Sequence, residues 1–213
     1  MKERIGVLGS GEVAQTLARG FKKKEYDVRI GTRDPGKLGA FSSASGVSSG
    51  TFAQVASHGA VLVLAVKGTA ALAVLKSIPS ADLDGKIVID TTNPIADEPP
   101  DQGILRYFTE PNASLMERLQ SAHPKARFVK AWNSVGNKFM VDPRFPGGPP
   151  TMFFCGDDAE AKAVVARILG EFGWDTEDIG GAPGARAIEP LCQLWCAPGF
   201  LRNDWTHAYK VLR

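Results

Sequence analysis

The chain has 213 residues, of which 44% are hydrophobic and 23% charged, and its formal net charge is +2. These values predict a soluble domain with a sizeable core, and so small a net charge argues against nucleic acid or a membrane surface as a partner. No apolar run approaches the ~18 residues of a membrane span, and residues 1–4 show no secretory signal. We therefore expect a cytoplasmic protein.

Short apolar strands alternate with helical segments along most of the chain. Strands are predicted over residues 5–8, 27–31, 61–66, 86–90, 127–131 and 151–155, with an edge strand over 175–179. Helices are predicted over residues 12–24, 70–77, 114–122 and 159–172. This alternation indicates βαβ units and a doubly wound, mainly parallel α/β sheet of the Rossmann type. Residues 41–50, 96–111 and 143–150 are rich in Ser, Gly, Pro and Asp and are predicted to be surface loops.

The C-terminal segment differs from the alternating part. We predict a Rossmann domain over residues 1–184 and a small helical tail over 185–213, broken at Pro198-Gly199. Leu191, Leu194 and Trp195 form an apolar stripe at helical spacing. This stripe is expected to pack on the sheet edge or on a second subunit, and a homodimer is the expected assembly.

Three cysteines, Cys155, Cys192 and Cys196, are too few for a disulfide framework. Cys192 and Cys196 are four residues apart, but two thiols without further ligands make a poor zinc site. Core packing is the preferred interpretation, because unpaired cysteines are usually buried, and no metal is expected.

The pattern G-x-G-x-x-A follows the first predicted strand and opens the first helix, as Gly9-Ser10-Gly11-Glu12-Val13-Ala14. This context is what distinguishes a dinucleotide fingerprint from an ordinary glycine turn. Gly9 permits the tight turn, Gly11 lets the backbone approach a pyrophosphate, and Ala14 lets the helix pack closely. The amides that open the helix would then bind the phosphates.

The end of the second strand indicates which dinucleotide is bound. NAD-selective sites carry an Asp or Glu there for the ribose hydroxyl, whereas this chain has Gly31-Thr32-Arg33. Thr32 and Arg33 can bind a 2′-phosphate, and Lys37 adds charge one turn later. Asp34 could reach a ribose, but Asp34-Pro35 also reads as a helix cap, which we favour. NADP(H) is therefore the predicted cofactor.

Ligands of doubly wound sheets bind outside the carboxyl ends of the strands. Further cofactor contacts are therefore expected from Ala65, Val66, Lys67, Asn93 and Pro94. Asn133 and Ser134 are candidates to face the hydride acceptor. Each has a simpler alternative: Asn93-Pro94 makes only a turn, Asn133 satisfies loop amides, and Lys67 is a solvated lysine.

No pairing of a nucleophile with a base is evident. His58 closes a predicted helix, where the dipole suits it, and His123 precedes Pro124 in a predicted loop. His207 lies in the predicted tail helix and is a candidate to line an acceptor pocket. Hydride transfer between two planar rings depends on positioning and exclusion of water more than on a protein acid.

Taken together, the chain resembles the NADPH:coenzyme F-420 oxidoreductases, which use an 8-hydroxy-5-deazaflavin, and the same domain is similar to the reductase portion of membrane ferric reductases. The resemblance rests on Gly9-Ser10-Gly11, Gly31-Thr32-Arg33-Asp34, Asp90-Thr91-Thr92-Asn93-Pro94, Val129-Lys130-Ala131-Trp132-Asn133-Ser134-Val135-Gly136, Gly156-Asp157-Asp158 with Phe172-Gly173-Trp174, and Ala187-Ile188-Glu189-Pro190-Leu191. It implies a Rossmann domain of about eight strands and an acceptor ring stacked over the nicotinamide. Trp132 replaces a smaller aromatic residue or histidine of the family and is expected to reshape the acceptor pocket.

Three functional hypotheses follow. The first is a reductase that passes hydride from NADPH to a small-molecule acceptor, a deazaflavin such as coenzyme F-420 or a flavin. The second is a ferric or quinone reductase with a loosely bound flavin. The third is a non-catalytic module that senses NADP(H) and binds a partner protein.

Overall fold

The computed structural model describes residues 2–213 and contains a six-stranded parallel sheet. Its strands follow the order β3-β2-β1-β4-β5-β6. They are β1 (Ile5–Leu8), β2 (Val28–Gly31), β3 (Ser48–Gly50), β4 (Val61–Leu64), β5 (Ile87–Asp90) and β6 (Arg127–Lys130). This order reverses direction between β1 and β4, which is the point where doubly wound folds bind their ligands. The predicted Rossmann architecture is confirmed.

A second parallel pair continues the structure beyond β6. It comprises β7 (Thr151–Phe154) and β8 (Asp175–Asp178). An antiparallel bridge between Lys130 and Cys155 joins β6 to the end of β7. Six strands and two further ones therefore account for the eight that the family resemblance implied.

Residues 2–213 contain eight α-helices. They are α1 (Glu12–Lys23), α2 (Gly39–Ser45), α3 (Phe52–His58), α4 (Gly68–Lys76), α5 (Leu115–Ala122), α6 (Ala159–Glu171), α7 (Ala185–Ile188) and α8 (Pro190–Arg202). Side chains of α1 and α6 bury one face of the sheet, and those of α3, α4 and α5 bury the other. The central strands β1, β4 and β5 are fully buried because helices lie on both faces, whereas β3 is partly and β8 largely exposed.

The prediction that residues 41–50 form only a loop is wrong. Helix α2 ends at Gly46, whose φ of 67° is the left-handed cap that glycine favours, and β3 then pairs with β2. Ser and Gly are poor strand formers, so the local composition gave no sign of β3. Its pairing with Arg29–Gly31 is what orders it.

The predicted break at Pro198-Gly199 is also wrong, because α8 continues through both residues to Arg202. Pro198 lacks the N–H that would bind the carbonyl four residues earlier, on Leu194. Leu194 is 59% exposed, and α8 continues past the missing hydrogen bond. Gly199 is required by packing, since a Cβ there would overlap the ring of Trp205.

The last residues leave α8 and run back along the second strand pair. The Thr151 N–H donates to the Tyr209 carbonyl at 2.8 Å, and the Val211 N–H donates to the Thr151 hydroxyl at 3.1 Å. Residues 203–213 contain no helix, so the prediction of a helix around His207 is wrong. In the described residues 2–213, no helix combines the length and apolar character needed to cross a membrane.

Candidate functional site

Two glycines shape the turn between β1 and α1. Gly9 has a φ of 145°, and a Cβ on it would overlap the Ala65 carbonyl, so both backbone and packing require glycine. Gly11 is different, because its backbone is extended with φ of −75° and a Cβ would meet no protein atom within 4 Å. The space beside Gly11 is therefore left open by the protein, as a site for a closely approaching phosphate requires.

The start of α1 presents free donors to that space. The first turn of an α-helix has amides without intrahelical acceptors, and no side chain within residues 2–213 caps this one. The Ser10 carbonyl, just before these amides, accepts from Gln15 Nε2 at 2.9 Å. Donors and helix dipole together make this end of α1 suited to an anion.

The end of β2 supplies cationic side chains beside this turn. Thr32 is buried, and its hydroxyl lies 3.4 Å from the Ser10 hydroxyl. Arg33 and Lys37 are exposed, and no carboxylate of the described residues forms an ion pair with either. The Asp34 carboxylate accepts from the Gly36 N–H at 3.2 Å and caps the turn that Pro35 opens, which confirms the predicted cap. Arg33 thus faces solvent without a neighbouring carboxylate partner.

The β4 end closes the middle of the crevice. Ala65 is buried and its N–H donates to the Leu8 carbonyl at 2.8 Å, whereas Val66 is half-buried against the apolar layer below. The Lys67 side chain is 80% exposed and pairs with Asp97, which is 68% exposed, at 3.1 Å. This geometry favours the solvated interpretation of Lys67.

Two asparagines connect the ends of β5 and β6 by hydrogen bonds. Asn93 Nδ2 donates to the Asn133 carbonyl at 2.8 Å, and Asn133 Nδ2 donates to Asn93 Oδ1 at 3.0 Å. Asn133 Nδ2 also donates to the Ile188 carbonyl of α7 at 3.0 Å. Asn133 and Ser134 are only 4% and 3% exposed, so Asn133 mainly orders the crevice floor.

Trp132 does not line an acceptor pocket. Its φ of 59° is left-handed, and its ring is fully buried against Phe21 and Phe172, with centroid distances of 6.1 and 5.1 Å. Such a backbone costs about 1–2 kcal/mol for a residue with a Cβ. The turn at Trp132 sends the indole into the core, and the prediction that Trp132 faces the acceptor is wrong for that reason.

A buried ionic network lies beneath the paired asparagines. Lys130 is fully buried, and its ammonium lies 2.7 Å from Asp90 Oδ2, 2.9 Å from Glu189 Oε1 and 2.8 Å from the Thr92 carbonyl. Burial alone lowers the pKa of Lys130, but Asp90 and Glu189 outweigh it, so that pKa is raised above its ordinary value. Lys130 therefore carries a charge that connects these elements through contacts with three oxygen atoms.

The interaction of Asp90, Lys130 and Glu189 is not predicted from the sequence, although all three residues lie in the motifs quoted above. A local signal was available: Asp90 and Lys130 each follow apolar residues at the end of a strand, and these strands are neighbours in register. Two opposite charges at the buried ends of adjacent strands indicate an ion pair. Nothing local connects either of them with Glu189, which lies 59 positions or more along the chain.

The tail contributes an aromatic cluster near the loop after β6. Trp195 packs so closely on Gly136 that a Cβ there would lie 2.6 Å from its ring. His207 stacks on Trp195 with a centroid distance of 5.2 Å, and the Trp195 indole N–H donates to the His207 carbonyl at 2.8 Å. Trp195 therefore separates His207 from Gly136, and His207 supports the tail rather than the crevice.

The cysteines are largely structural. Cys155 is fully buried, and burial raises the pKa of its thiol to about 12. The Sγ atoms of Cys192 and Cys196 lie 4.0 Å apart, and this contact raises the pKa of Cys192 and lowers that of Cys196. Among residues 2–213, no group of three or more His, Cys, Asp or Glu side chains is arranged to hold a metal ion.

Comparison with known proteins places this architecture in a family. The family model described as NADP oxidoreductase, coenzyme F420-dependent, matches residues 4–94, from β1 to the turn after β5. A structure from Arthrobacter sp. FB24, named as a proposed F420-dependent NADP-reductase, is 32% identical with a TM-score of 0.92, and each chain covers 100% of the other.

Two other similarities are more partial. Metalloreductase STEAP3 of Rattus norvegicus is 29% identical over 204 residues, which are 93% of this chain but only 39% of that protein. A reductive aminase from Aspergillus terreus, solved with NADPH4, cyclohexanone and allyl amine, is 16% identical with a TM-score of 0.65, over 91% of this chain and 59% of that one. At that identity it shows the shared fold alone. The full-length match to the Arthrobacter structure shows that this chain belongs to the family of NADP-dependent oxidoreductases described as coenzyme F420-dependent.

Proposed function

We propose that the protein transfers a hydride between NADPH and a deazaflavin or flavin acceptor. The observation that carries the cofactor half is the open space at Gly11, next to the uncapped start of α1. A pyrophosphate fits there, because the amides supply donors and no Cβ intrudes. Arg33, Thr32 and Lys37 would hold the 2′-phosphate, and the Ala65–Lys67 and Asn93–Pro94 turns would border the rest of the dinucleotide.

The acceptor half rests on the chemistry that the crevice offers. NADPH supplies a hydride at its nicotinamide ring. The charged groups at the ends of β5 and β6 are Asp90 and Lys130, and both are buried and paired with each other. A two-electron acceptor whose planar ring takes a hydride directly fits this arrangement, because it needs no protein acid. The deazaflavin of the family description is such an acceptor.

An NADPH-oxidation screen tests this proposal. The purified protein is incubated with NADPH and, separately, coenzyme F420, FMN, FAD, ferric chelates or quinones, and NADPH absorbance is followed. We expect the highest turnover with the deazaflavin or a flavin, and none with Gly11→Val. Turnover of ferric chelates or quinones that exceeds flavin reduction contradicts the proposal and favours the second candidate, to which the similarity to STEAP3 points.

We also propose that two copies associate through α8. Leu194 and Leu201 lie seven residues apart on one face of this helix and are 59% and 61% exposed. Phe200 and Ile104, both about half exposed, extend the apolar patch, since Gly103 lies against Leu201. Exposed patches of this kind often mark interfaces. Leu194→Glu with Leu201→Glu should convert a dimer to a monomer in light scattering, whereas a wild-type monomer contradicts the proposal.

A further inference from the structure

Glu189 joins three elements at one carboxylate. It is only 2% exposed. Its Oε1 lies 2.9 Å from Lys130 Nζ of β6 and accepts from the Met116 N–H at 3.0 Å, while Oε2 accepts from the Leu115 N–H at 2.9 Å. The start of α8 is thereby fixed to the end of β6 and to the first turn of α5.

Two routes lead from this junction to the crevice. In the first, Lys130 donates to the Thr92 carbonyl, while Asp90 accepts from both the amide and the hydroxyl of Thr92 at 2.9 and 2.6 Å. In the second, the Ile188 carbonyl, next to Glu189, accepts from Asn133. The routes meet at the paired side chains of Asn93 and Asn133. These hydrogen bonds and ion pairs therefore form a closed ring, one side of which lies at the ends of β5 and β6.

We propose that Glu189 is a positioning residue for hydride transfer, acting through Lys130 and Ile188 on the Asn93–Asn133 pair. This inference rests on the proposed function, which puts the reacting ring over these strand ends. Hydride transfer is sensitive to small misplacements, and a shift of about 1 Å can cost about a hundredfold in rate. Stability alone gives little reason for such a network, because apolar replacements of buried ion pairs are often neutral or stabilising.

Glu189→Gln tests the role with little change in side-chain volume. A glutamine has one acceptor oxygen where Glu189 has two, so it cannot satisfy Lys130, Met116 and Leu115 together. With NH₂ in place of Oε1, the Lys130 ammonium and the Met116 N–H lose their acceptor; with NH₂ in place of Oε2, the Leu115 N–H does. Lys130 loses the carboxylate charge in both cases. We expect kcat to fall about ten- to hundredfold, with the NADPH Kd within about twofold of wild type. NADPH deuterated at both C4 positions should show a larger isotope effect on kcat than in wild type, because hydride transfer becomes rate-limiting.

A measurement without turnover complements this one. The side-chain amide signals of Asn93 and Asn133 in ¹⁵N NMR spectra of the ligand-free protein should shift in Glu189→Gln. The matched control is Glu117→Gln, which removes a carboxylate that also caps α5 but pairs with the exposed Arg186 instead of Lys130. This control should leave the asparagine signals, kcat and isotope effect unchanged.

The outcomes separate the two proposals. Unchanged asparagine signals, or a lower kcat with an unchanged isotope effect, means that Glu189 only affects the amount of folded protein and overturns the positioning role. If Glu189→Gln fails to fold, Glu189→Asp keeps the charge, is too short to reach Lys130 and α5 together, and is expected to show the same changes. If none of the acceptors in the screen supports NADPH oxidation by the wild-type protein, the proposed function itself is contradicted.

Discussion

The two halves of the crevice are built in opposite ways. At the ends of β1 and β2, helix α1 has no side-chain cap, the glycine turn before it leaves open space, and Arg33 has no carboxylate partner among residues 2–213. At the ends of β5 and β6, the helix that follows is capped twice, by Ser114 and by Glu189, and Lys130 is buried among three oxygens.

The difference shows how one sheet edge can combine binding with rigidity. Free amides and unpaired cations are exposed to solvent, so a ligand can replace the water on them at little cost. Buried donors and charges must be satisfied within the protein, and when they are satisfied they fix the backbone around them. We therefore expect changes in the first half to affect dinucleotide binding, and changes in the second to affect stability and turnover.

The largest expected effect is that of removing the segment that closes the second half. Deleting residues 187–213 removes Glu189 and Trp195, leaving amides of α5 without acceptors and an apolar surface exposed. We expect aggregation on expression, measured as soluble yield and by size-exclusion chromatography. A chain that ends at Arg202 keeps Glu189 and should remain soluble. A deleted protein that stays monodisperse and fully active would break the comparison.

Gly11→Val should lower NADPH affinity at least about a hundredfold, because the added branch occupies the space that the phosphates need. Folding should be little affected, since a Cβ at Gly11 meets no protein atom and the backbone there is extended. Isothermal titration and thermal melting measure the two quantities. Gly147→Val is the matched control, because a Cβ on this exposed glycine also meets nothing within 4 Å. Unaltered NADPH affinity in Gly11→Val would place the phosphates elsewhere.

Arg33→Ala should erase most of a preference for NADPH over NADH that we expect to be ten- to hundredfold. One charge-assisted hydrogen bond is worth about 1.5–3 kcal/mol, and about 1.4 kcal/mol is a factor of ten. Titration with both dinucleotides measures the preference, and Arg144→Ala, at another exposed arginine, should preserve it. Equal loss of affinity for NADPH and NADH in Arg33→Ala would assign Arg33 a structural role.

The smallest effect is expected for Glu117→Gln, on the outer side of α5. The hydrogen bond from Arg186 lowers the pKa of Glu117 below its ordinary 4.5. A carboxyl group whose pKa is lower in the folded state stabilises the fold at pH values above its ordinary pKa. This contribution is lost as the pH falls through the folded-state pKa. We expect Glu117→Gln to lower the free energy of unfolding by about 0.5–1 kcal/mol at neutral pH, which is typical of a partly exposed ion pair. The difference should disappear in acid. Urea unfolding at both pH values measures it, and a pH-independent difference would rule out the ion pair as its cause.

Much of the fold follows from local patterns in the sequence. Short apolar runs such as 61–64 and 87–89 indicate strands covered on both faces, and the turn at Gly9 and the Asp34-Pro35 cap have local signatures that the structure confirms. The exposed Arg33, two residues after the end of β2, is likewise predictable from its position in the sequence. Each of these features is formed by residues only a few positions apart, so a short stretch of sequence is enough to predict it.

Tertiary structure decided the remainder. Strand β3 exists because β2 offers it a pairing edge, and α8 continues through Pro198 to Arg202, with Gly199 packed against the Trp205 ring. Trp132 enters the core because a left-handed turn at the end of β6 aims it there. Glu189 reaches Lys130 only when α8 docks against β6 and α5. Each depends on contacts between residues far apart in the chain, which no local pattern encodes, because burial and partner geometry arise only when the elements pack.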